Sequence, residues 1–594
     1  MSNRTLYVRA AEDLRPNERQ WQAYESAGHC VLLAGPGSGK TKTLTVKLAR
    51  MLSEDVEEPR GIACITYNNE CARELETRLD ALGIAQSRRV FIGTVHSFSL
   101  TQILLPYAKV AGLDLPDDFT VATTRQTRAA LEIAHSKVIG GSENPQNWDL
   151  RLGRHRRRFL NRSVPEWQDA DPQLTQLVEA YEANLRAKGV IDFDDMPILA
   201  LKALRENNWL RKAIAAKYPI LAVDEYQDLG RALHAMVMGL CFKSGIRLFA
   251  VGDVDQSIYG FTGANPELLR KLSEREDVET VRLGLNYRCG SQIVTASEYA
   301  LGEERGYQAP EGAHEGTIYF HPCTGGYSGQ ARYLVKELIP EIQARRPDLH
   351  LGEIAILYQA KFIGDDVAAA AAEHGYAVIR TDGNALYPRG SRLMRWLEQC
   401  AMWCCGGWRS GHPRVSRVIS EGARLFHEVI RSDDDHLEFQ RAVIAALWDR
   451  REGTLGLHDW LVALRAELIR PRIGMARSLA DEVETLDSFI ERLGSTGDID
   501  DFPLSEFAGI GSGLDRINLS SLHSAKGREF DVVILCGAEE GRLPRNGAST
   551  SEVKEARRLF YVGFTRARHE IHLMYGQAIP SRFVTEVRQR LEAE

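Results

Sequence analysis

Short apolar runs, each closed by a turn-rich segment and followed by residues at helical spacing, recur along this chain. His29-Cys30-Val31-Leu32-Leu33-Ala34 reads as a buried strand, and Lys40 through Leu52 as the helix that follows a glycine-rich turn. Pro219-Ile220-Leu221-Ala222-Val223 and Glu353-Ile354-Ala355-Ile356-Leu357-Tyr358 are further apolar strands. The alternation of strands and helices through residues 1–100 and 190–284, and again through 285–390 and 515–594, predicts an α/β fold with two parallel-sheet lobes. An insertion interrupts each lobe. Residues 101–189 are polar and mostly helical in pattern, and residues 391–514 carry helical apolar spacing from Phe439 to Trp448 and from Leu479 to Leu493.

Composition narrows the class. With 594 residues, 44% hydrophobic and 26% charged, the chain has material for several packed domains, which excludes disorder as its main state. No apolar stretch approaches the roughly 18–20 residues of a membrane span, and Met1-Ser2-Asn3-Arg4 leads into Ala10-Ala11-Glu12-Asp13 without a signal-peptide core, so a cytoplasmic enzyme without membrane partners is expected. A net charge of −7 argues against coating nucleic acid by bulk charge and leaves room for a local basic groove. Cys400, Cys404 and Cys405 lie close together but lack a second pair at metal-site spacing, and read as thiols rather than ligands.

The chemistry begins behind the first strand. Ala34-Gly35-Pro36-Gly37-Ser38-Gly39-Lys40-Thr41 is a P-loop: glycines let successive backbone N–H groups curl around a phosphate, Lys40 reaches the outer phosphates, and the Thr41 hydroxyl suits magnesium. ATP and Mg²⁺ are the expected cofactors. The strand at 219–223 ends in Asp224-Glu225-Tyr226-Gln227-Asp228, where Asp224 would hold the metal and Glu225 would orient and deprotonate the attacking water.

With those two elements in place, an ordered series of motifs resembles the superfamily 1 helicases of the UvrD/Rep/PcrA type. Asn17-Glu18-Arg19-Gln20 is similar to the family's adenine-reading motif, with Gln20 as the base contact. Thr66-Tyr67-Asn68-Asn69 and Gly93-Thr94-Val95-His96-Ser97-Phe98 resemble its single-strand-binding motifs. Val251-Gly252-Asp253-Val254-Asp255-Gln256-Ser257-Ile258-Tyr259-Gly260-Phe261 resembles the motif linking the γ-phosphate to DNA. Asn286-Tyr287-Arg288, Leu522-His523-Ser524-Ala525-Lys526-Gly527-Arg528-Glu529-Phe530 and Tyr561-Val562-Gly563-Phe564-Thr565-Arg566 complete the set.

The resemblance implies two RecA-like lobes with ATP between them. Gln256, Arg288 and Arg566 would act on the γ-phosphate, Tyr287 would stack on adenine, and Glu529 would contact the ribose. Tyr67, Asn69, His96, Tyr259, Phe261 and His523 would meet DNA. Phe261 replaces the usual tryptophan, Lys42 stands where the family commonly has an arginine that stacks on adenine, and Thr262, Leu285, Gln359 and Lys361 are further departures.

The implied activity is ATP-driven 3′ to 5′ movement along single-stranded DNA, with strand/duplex junctions as partners. An alternative is a DNA-end-sensing ATPase that activates a separate nuclease partner, as in Gabija-type phage-defence pairs; the compact second insertion and the 28 residues after Arg566 agree with it. A non-enzymatic DNA-binding scaffold is the third class, against which the complete set Lys40, Asp224, Glu225, Arg288 and Arg566 speaks. Residues 151–162 carry six arginines without an acid, a pattern that suits nucleic-acid phosphates or a solvated helix face. Asp192, Asp194 and Asp195 have the look of a nuclease metal cluster but match a structural segment of the helicase core.

Overall fold

The computed structural model describes residues 3–84, 89–382, 385, 387–388, 391–452, 456–473, 479–494, 503–509, 514–577 and 579–593, without the side chains of residues 3–5, 70 and 261. The strands, in chain order, are β1 (Cys30–Ala34), β2 (Ile62–Thr66), β3 (Val90–Thr94), β4 (Thr120–Val121), β5 (Val190–Ile191), β6 (Ile220–Val223), β7 (Arg247–Gly252), β8 (Glu279–Leu283), β9 (Thr317–Cys323), β10 (Ile354–Tyr358), β11 (Val378–Arg380), β12 (Ile517–Ser521), β13 (Phe530–Cys536) and β14 (Ala567–Gly576). The chain divides into two compact units, residues 1–322 with 525–594, and residues 323–524.

In the first unit a six-stranded sheet runs β3-β2-β6-β7-β1-β8 with every ladder parallel. Helices cover both faces, so its strands are continuous apolar runs rather than alternating ones. The pleat sends neighbours to opposite sides: Cys30, Leu32 and Ala34 join the core under helix Lys40–Arg50, while Val31 and Leu33 join the core under helix Asp195–Glu206. The same unit holds β13 and β14, paired in parallel from Phe530 against Ala567 to Leu535 against Leu573. Between β3 and β6 the chain forms helices Thr124–Val138, Asp149–Arg158, Pro165–Asp169 and Pro172–Ala187, which enclose their own core around Trp148, Trp167 and Leu177. A two-residue parallel pairing of β4 with β5 joins the two ends of that segment.

The second unit contains the parallel ladders β11-β12 and β12-β10. Its other core gathers Trp396, Phe426, Phe439, Trp460, Phe489 and Phe507 from helices and their connections within residues 391–509. The α/β character and the parallel sheets thus match the sequence pattern, and the described parts of residues 101–189 and 391–514 are mainly helical.

Candidate nucleotide site and DNA-binding face

Parallel strands all point one way, so the segments leaving their carboxyl ends collect along one edge of the sheet. The P-loop follows β1, Tyr67 and Asn69 follow β2, His96 follows β3, Asp224 and Glu225 follow β6, Asp253 and Gln256 follow β7, and Asn286 to Arg288 follow β8. Motifs scattered over more than 250 residues become neighbours by topology alone.

At the P-loop, Gly37 has φ +69° and a Cβ there would lie 2.2 Å from Asn286 Oδ1, so both backbone conformation and space demand glycine. Tyr287 N donates to Gly37 O (2.9 Å), laying the Asn286-Tyr287-Arg288 segment against the loop. Ser38 is buried; its Oγ donates to Gly35 O (2.7 Å), and its carbonyl accepts from Gln20 Nε2 (3.0 Å). Asn17 caps helix Glu18–Glu25 through Gln20 N (3.2 Å) and gives its Nδ2 to the Tyr287 hydroxyl (3.0 Å). Gln20 and Tyr287 are therefore joined through Asn17, and the Tyr287 ring stays 50% exposed, free to carry a planar base. Lys40 Nζ donates to Ala34 O (3.0 Å) and Gly35 O (3.5 Å) and stands 3.8 Å from Asp253 Oδ2. Thr41 lies in the first turn of helix Lys40–Arg50, next to Gly39 and beyond Pro36, whereas Lys42 turns outward toward Asp13 (3.6 Å).

Glu225 is the one non-glycine residue with positive φ among the described residues, at φ 51° and ψ 43°. That conformation costs on the order of 1–3 kcal/mol and concentrates at working sites. Hydrogen bonds hold it: Glu225 N donates to Asp224 Oδ1 (3.0 Å), and Gln227 Nε2 donates to Glu225 Oε2 (2.6 Å). Burial pushes the Asp224 carboxyl up to about 7, with the adjacent Glu225 charge adding to it. Burial pushes Glu225 up as well, but the charges of Lys526 and Lys40 outweigh it and hold its pKa below the ordinary value. Two adjacent carboxyls are thus driven apart in proton affinity. Asp224, buried and raised, with Thr41 as the hydroxyl donor, fits a divalent cation by the chemistry of the donor set.

Gln256 is buried, donates from Nε2 to Asp253 Oδ2 (2.7 Å), and accepts at Oε1 from Arg566 Nη2 (3.4 Å). Arg566 is 1% exposed, and its other acceptors are Val562 O (2.8 Å), Thr565 Oγ1 (3.2 Å) and Arg528 O (3.3 Å), all uncharged oxygens. Burial, then the neighbouring Arg288 charge, lowers its pKa to about 10, which leaves it cationic at neutral pH. Arg288 instead donates from Nε to Glu529 Oε2 (2.6 Å), while Arg568 bonds the other oxygen of the same carboxylate (2.5 Å).

Several residues enter this centre that the sequence reading did not assign a role. Lys526 Nζ bonds the Asp228 carboxylate and Gln256 O (2.6 Å) and lies 3.6 Å from Glu225 Oε2. Gln227, fully buried, links Glu225 to the segment after β7 by accepting from Asp253 N (2.9 Å). Lys526 stands inside a quoted motif, and Gln227 between the two acids of Glu225 and Asp228, so position in a motif was the available signal.

Among the expected DNA contacts, Tyr67 and Tyr259 stack on each other, ring centroids 4.7 Å apart and 23° between planes, and Lys526 Nζ lies 5.4 Å from the Tyr259 ring. They form one aromatic platform rather than two. His96 meets Phe193 edge-on (5.7 Å), and Phe193 is 59% exposed, an aromatic surface the acidic sequence around it concealed. Asn69 is exposed at the start of helix Asn69–Ala81. The Phe261 side chain lies outside the described residues. His523 follows β12 in the second unit.

The arginine-rich helix Asp149–Arg158 has a different character from Arg566. Arg156 is 1% exposed and bonds Asp192 (2.6 and 3.0 Å), Asp195 (2.8 Å) and Glu182 (2.8 Å). Arg157 bonds Asp194 (2.9 Å), and Arg162 bonds Glu182. The acids that resembled a metal cluster are the counter-charges of these arginines. Of the six, Arg151, Arg154 and Arg158 are exposed, and Arg151 leans on Asp171 (3.5 Å).

Residues 16–277 match the family model described as the UvrD/REP helicase N-terminal domain, and residues 484–578 match the UvrD-like helicase C-terminal domain. The chain belongs to the UvrD/Rep helicase family. It is 26% identical to ATP-dependent DNA helicase Rep of Escherichia coli (strain K12), a match covering 97% of this chain and 94% of that protein. It is 25% identical to ATP-dependent DNA helicase PcrA of Leuconostoc citreum over 97% of this chain and 85% of that protein. A third relative, ATP-dependent DNA helicase UvrD1 of Mycobacterium bovis (strain ATCC BAA-935 / AF2122/97), is 24% identical over 98% and 86% respectively. The N-terminal family match carries the P-loop, the Asp224-Glu225 pair and Gln256, the C-terminal one carries Lys526, Glu529 and Arg566, and Tyr287 and Arg288 fall between them.

Proposed function

We propose that this chain is an ATP-driven DNA translocase and helicase that moves 3′ to 5′ on single-stranded DNA in the cytoplasm. One observation carries the reading: Lys40, Glu225, Gln256, Lys526 and Arg566 converge on one buried centre, in which the Arg566 guanidinium hydrogen-bonds only uncharged oxygens among the described residues, with Glu225 as a more distant counter-charge. A buried cation with only neutral acceptors suits an arriving anion, and the terminal phosphate of ATP is the anion a P-loop presents.

In this reading Lys40 exchanges its loop carbonyls for the outer phosphates. Tyr287 and Gln20 hold adenine, and Glu529, released from Arg288, meets the ribose. Glu225, oriented by Gln227, takes the proton of the attacking water. Arg288 and Arg566 stabilise charge on the transferred group. Mg²⁺, held by Thr41 and Asp224, would supply further charge neutralisation. Gln256 contacts Arg566, and Tyr259, three residues on, stacks with Tyr67, so nucleotide state and strand grip share one short segment. With Phe193, Asn69 and His96, this platform accepts bases without reading their sequence; Phe261 and His523 are proposed as DNA contacts on the motif resemblance alone. The family names carried by its relatives, ATP-dependent DNA helicases, agree with the reading.

Stopped-flow release from single strands labelled at the 5′ or 3′ end tests it. The 5′-end signal should be delayed in proportion to strand length and the 3′-end signal should not. Timing independent of length at both ends would contradict translocation and favour a DNA-sensing ATPase.

A further inference from the structure

The segment that follows helix Ser291–Leu301 touches both the P-loop and the segment after β7. Arg305 forms a two-pronged ion pair with Asp255, Nε to Oδ2 at 2.7 Å and Nη2 to Oδ1 at 2.9 Å. Two residues on, the Tyr307 ring lies so close to the P-loop that a Cβ on Gly35 would be 2.5 Å from its Cε1. Gln308 O then accepts from Asn286 N (2.8 Å).

The partners of Asp255 lead straight to the nucleotide centre. Asp255 N donates to Asp253 Oδ1 (3.0 Å), and Asp253 Oδ2 takes Gln256 Nε2 (2.7 Å) and faces Lys40 Nζ (3.8 Å). The two side chains of the pair are unequal: that of Asp255 is 6% exposed, that of Arg305 33%, and Arg305 has a second carboxylate in Glu303 (2.6 Å). Losing Arg305 strands a buried negative charge next to Asp253, the carboxylate that faces Lys40; losing the Asp255 charge leaves Arg305 partly solvated and still paired with Glu303. Breaking a buried pair from the side that leaves the charge inside is the costly direction.

We propose that Arg305 is a positioning residue for ATP hydrolysis, neutralising Asp255 so that the Asp253–Gln256 segment stays aligned with Lys40 and Arg566 and does not repel a terminal phosphate. The proposal deepens the nucleotide reading above and rests on it.

Four proteins test it: wild type, Arg305→Ala, Asp255→Asn and the double variant. Each is first checked for an unchanged circular dichroism spectrum, then measured for DNA-stimulated turnover and for binding of fluorescent ADP and a fluorescent non-hydrolysable ATP analogue. Arg305→Ala should lower kcat and weaken the triphosphate analogue by about tenfold or more, within the range of coupled contacts, while ADP affinity stays near wild type. Asp255→Asn should be mild, and the double variant should return to the level of Asp255→Asn. A double variant as impaired as Arg305→Ala, or equal loss of ADP and triphosphate affinity, overturns the proposal. The ADP and triphosphate comparison needs no turnover. A wild type without DNA-stimulated hydrolysis would therefore count against the functional reading, while the charge-rescue result would still decide the role of Arg305.

Discussion

Helix Asp149–Arg158 and the turn before β14 both bury an arginine, and they do opposite things with it. Arg156 sits among Asp192, Asp195 and Glu182, so its charge is answered within the fold. Arg566 hydrogen-bonds carbonyls, a hydroxyl and an amide oxygen, and Glu225 answers its charge only from beyond hydrogen-bond reach. The first arrangement orders a structure; the second leaves a cation awaiting an anion. Arginine density along the sequence would have ranked the two regions the wrong way round, because counter-charge rather than count separates a structural arginine from a ligand-binding one.

The sharpest break between them is Arg566→Ala. Turnover should fall by a factor on the order of 10³, the lower figure for arginines that stabilise phosphoryl transfer, while the unfolding free energy falls less than in Arg156→Ala, because no hydrogen-bonded carboxylate is left without its cation. Steady-state hydrolysis and urea unfolding on one sample measure both. Arg156→Ala should show the reverse: Asp192 loses its arginine while Glu182 keeps Arg162 and Asp195 keeps Arg186, stability drops by about 3–5 kcal/mol, and the properly folded fraction retains wild-type ATP affinity. A stability loss for Arg566→Ala equal to that of Arg156→Ala would erase the distinction.

A smaller effect separates the aromatic platform from the nucleotide centre. Tyr67→Ala removes one ring of the stacked pair and should weaken single-strand binding by about 1–3 kcal/mol, leaving basal hydrolysis in place; fluorescence anisotropy with a labelled oligonucleotide reads it. Smallest of all is the surface test. Arg154→Ala with Arg158→Ala should change the salt dependence of DNA binding by about one contact each if they meet phosphates. An unchanged slope would assign the whole arginine-rich helix to structure.

Much of this site was legible because its parts lie in short local patterns. Strand, glycine turn and lysine place the P-loop, and two acids at a strand end place Asp224 and Glu225. What could not be read is pairing across distance. Arg566 meets Gln256 over 310 residues and Lys526 meets Asp228 over 298, and neither spacing leaves a trace in the chain. The arginine-rich segment pointed toward phosphates because its counter-charges arrive from residues 182–195, beyond any local window. Phe193 was hidden for the related reason that exposure of one aromatic among acids is set by the fold around it. The Tyr67–Tyr259 stack likewise joins two motifs that read as independent platforms.

The central claim, that this buried centre is a DNA-coupled ATPase, meets its most direct test in the turnover of the purified wild-type protein with and without a single-stranded oligonucleotide at saturating ATP. Turnover should rise severalfold or more when the oligonucleotide is added, a rise lost in Lys40→Ala, whose P-loop has no second cation to meet the phosphates. The same rate with and without DNA, or DNA-stimulated turnover that survives in Lys40→Ala, would contradict it.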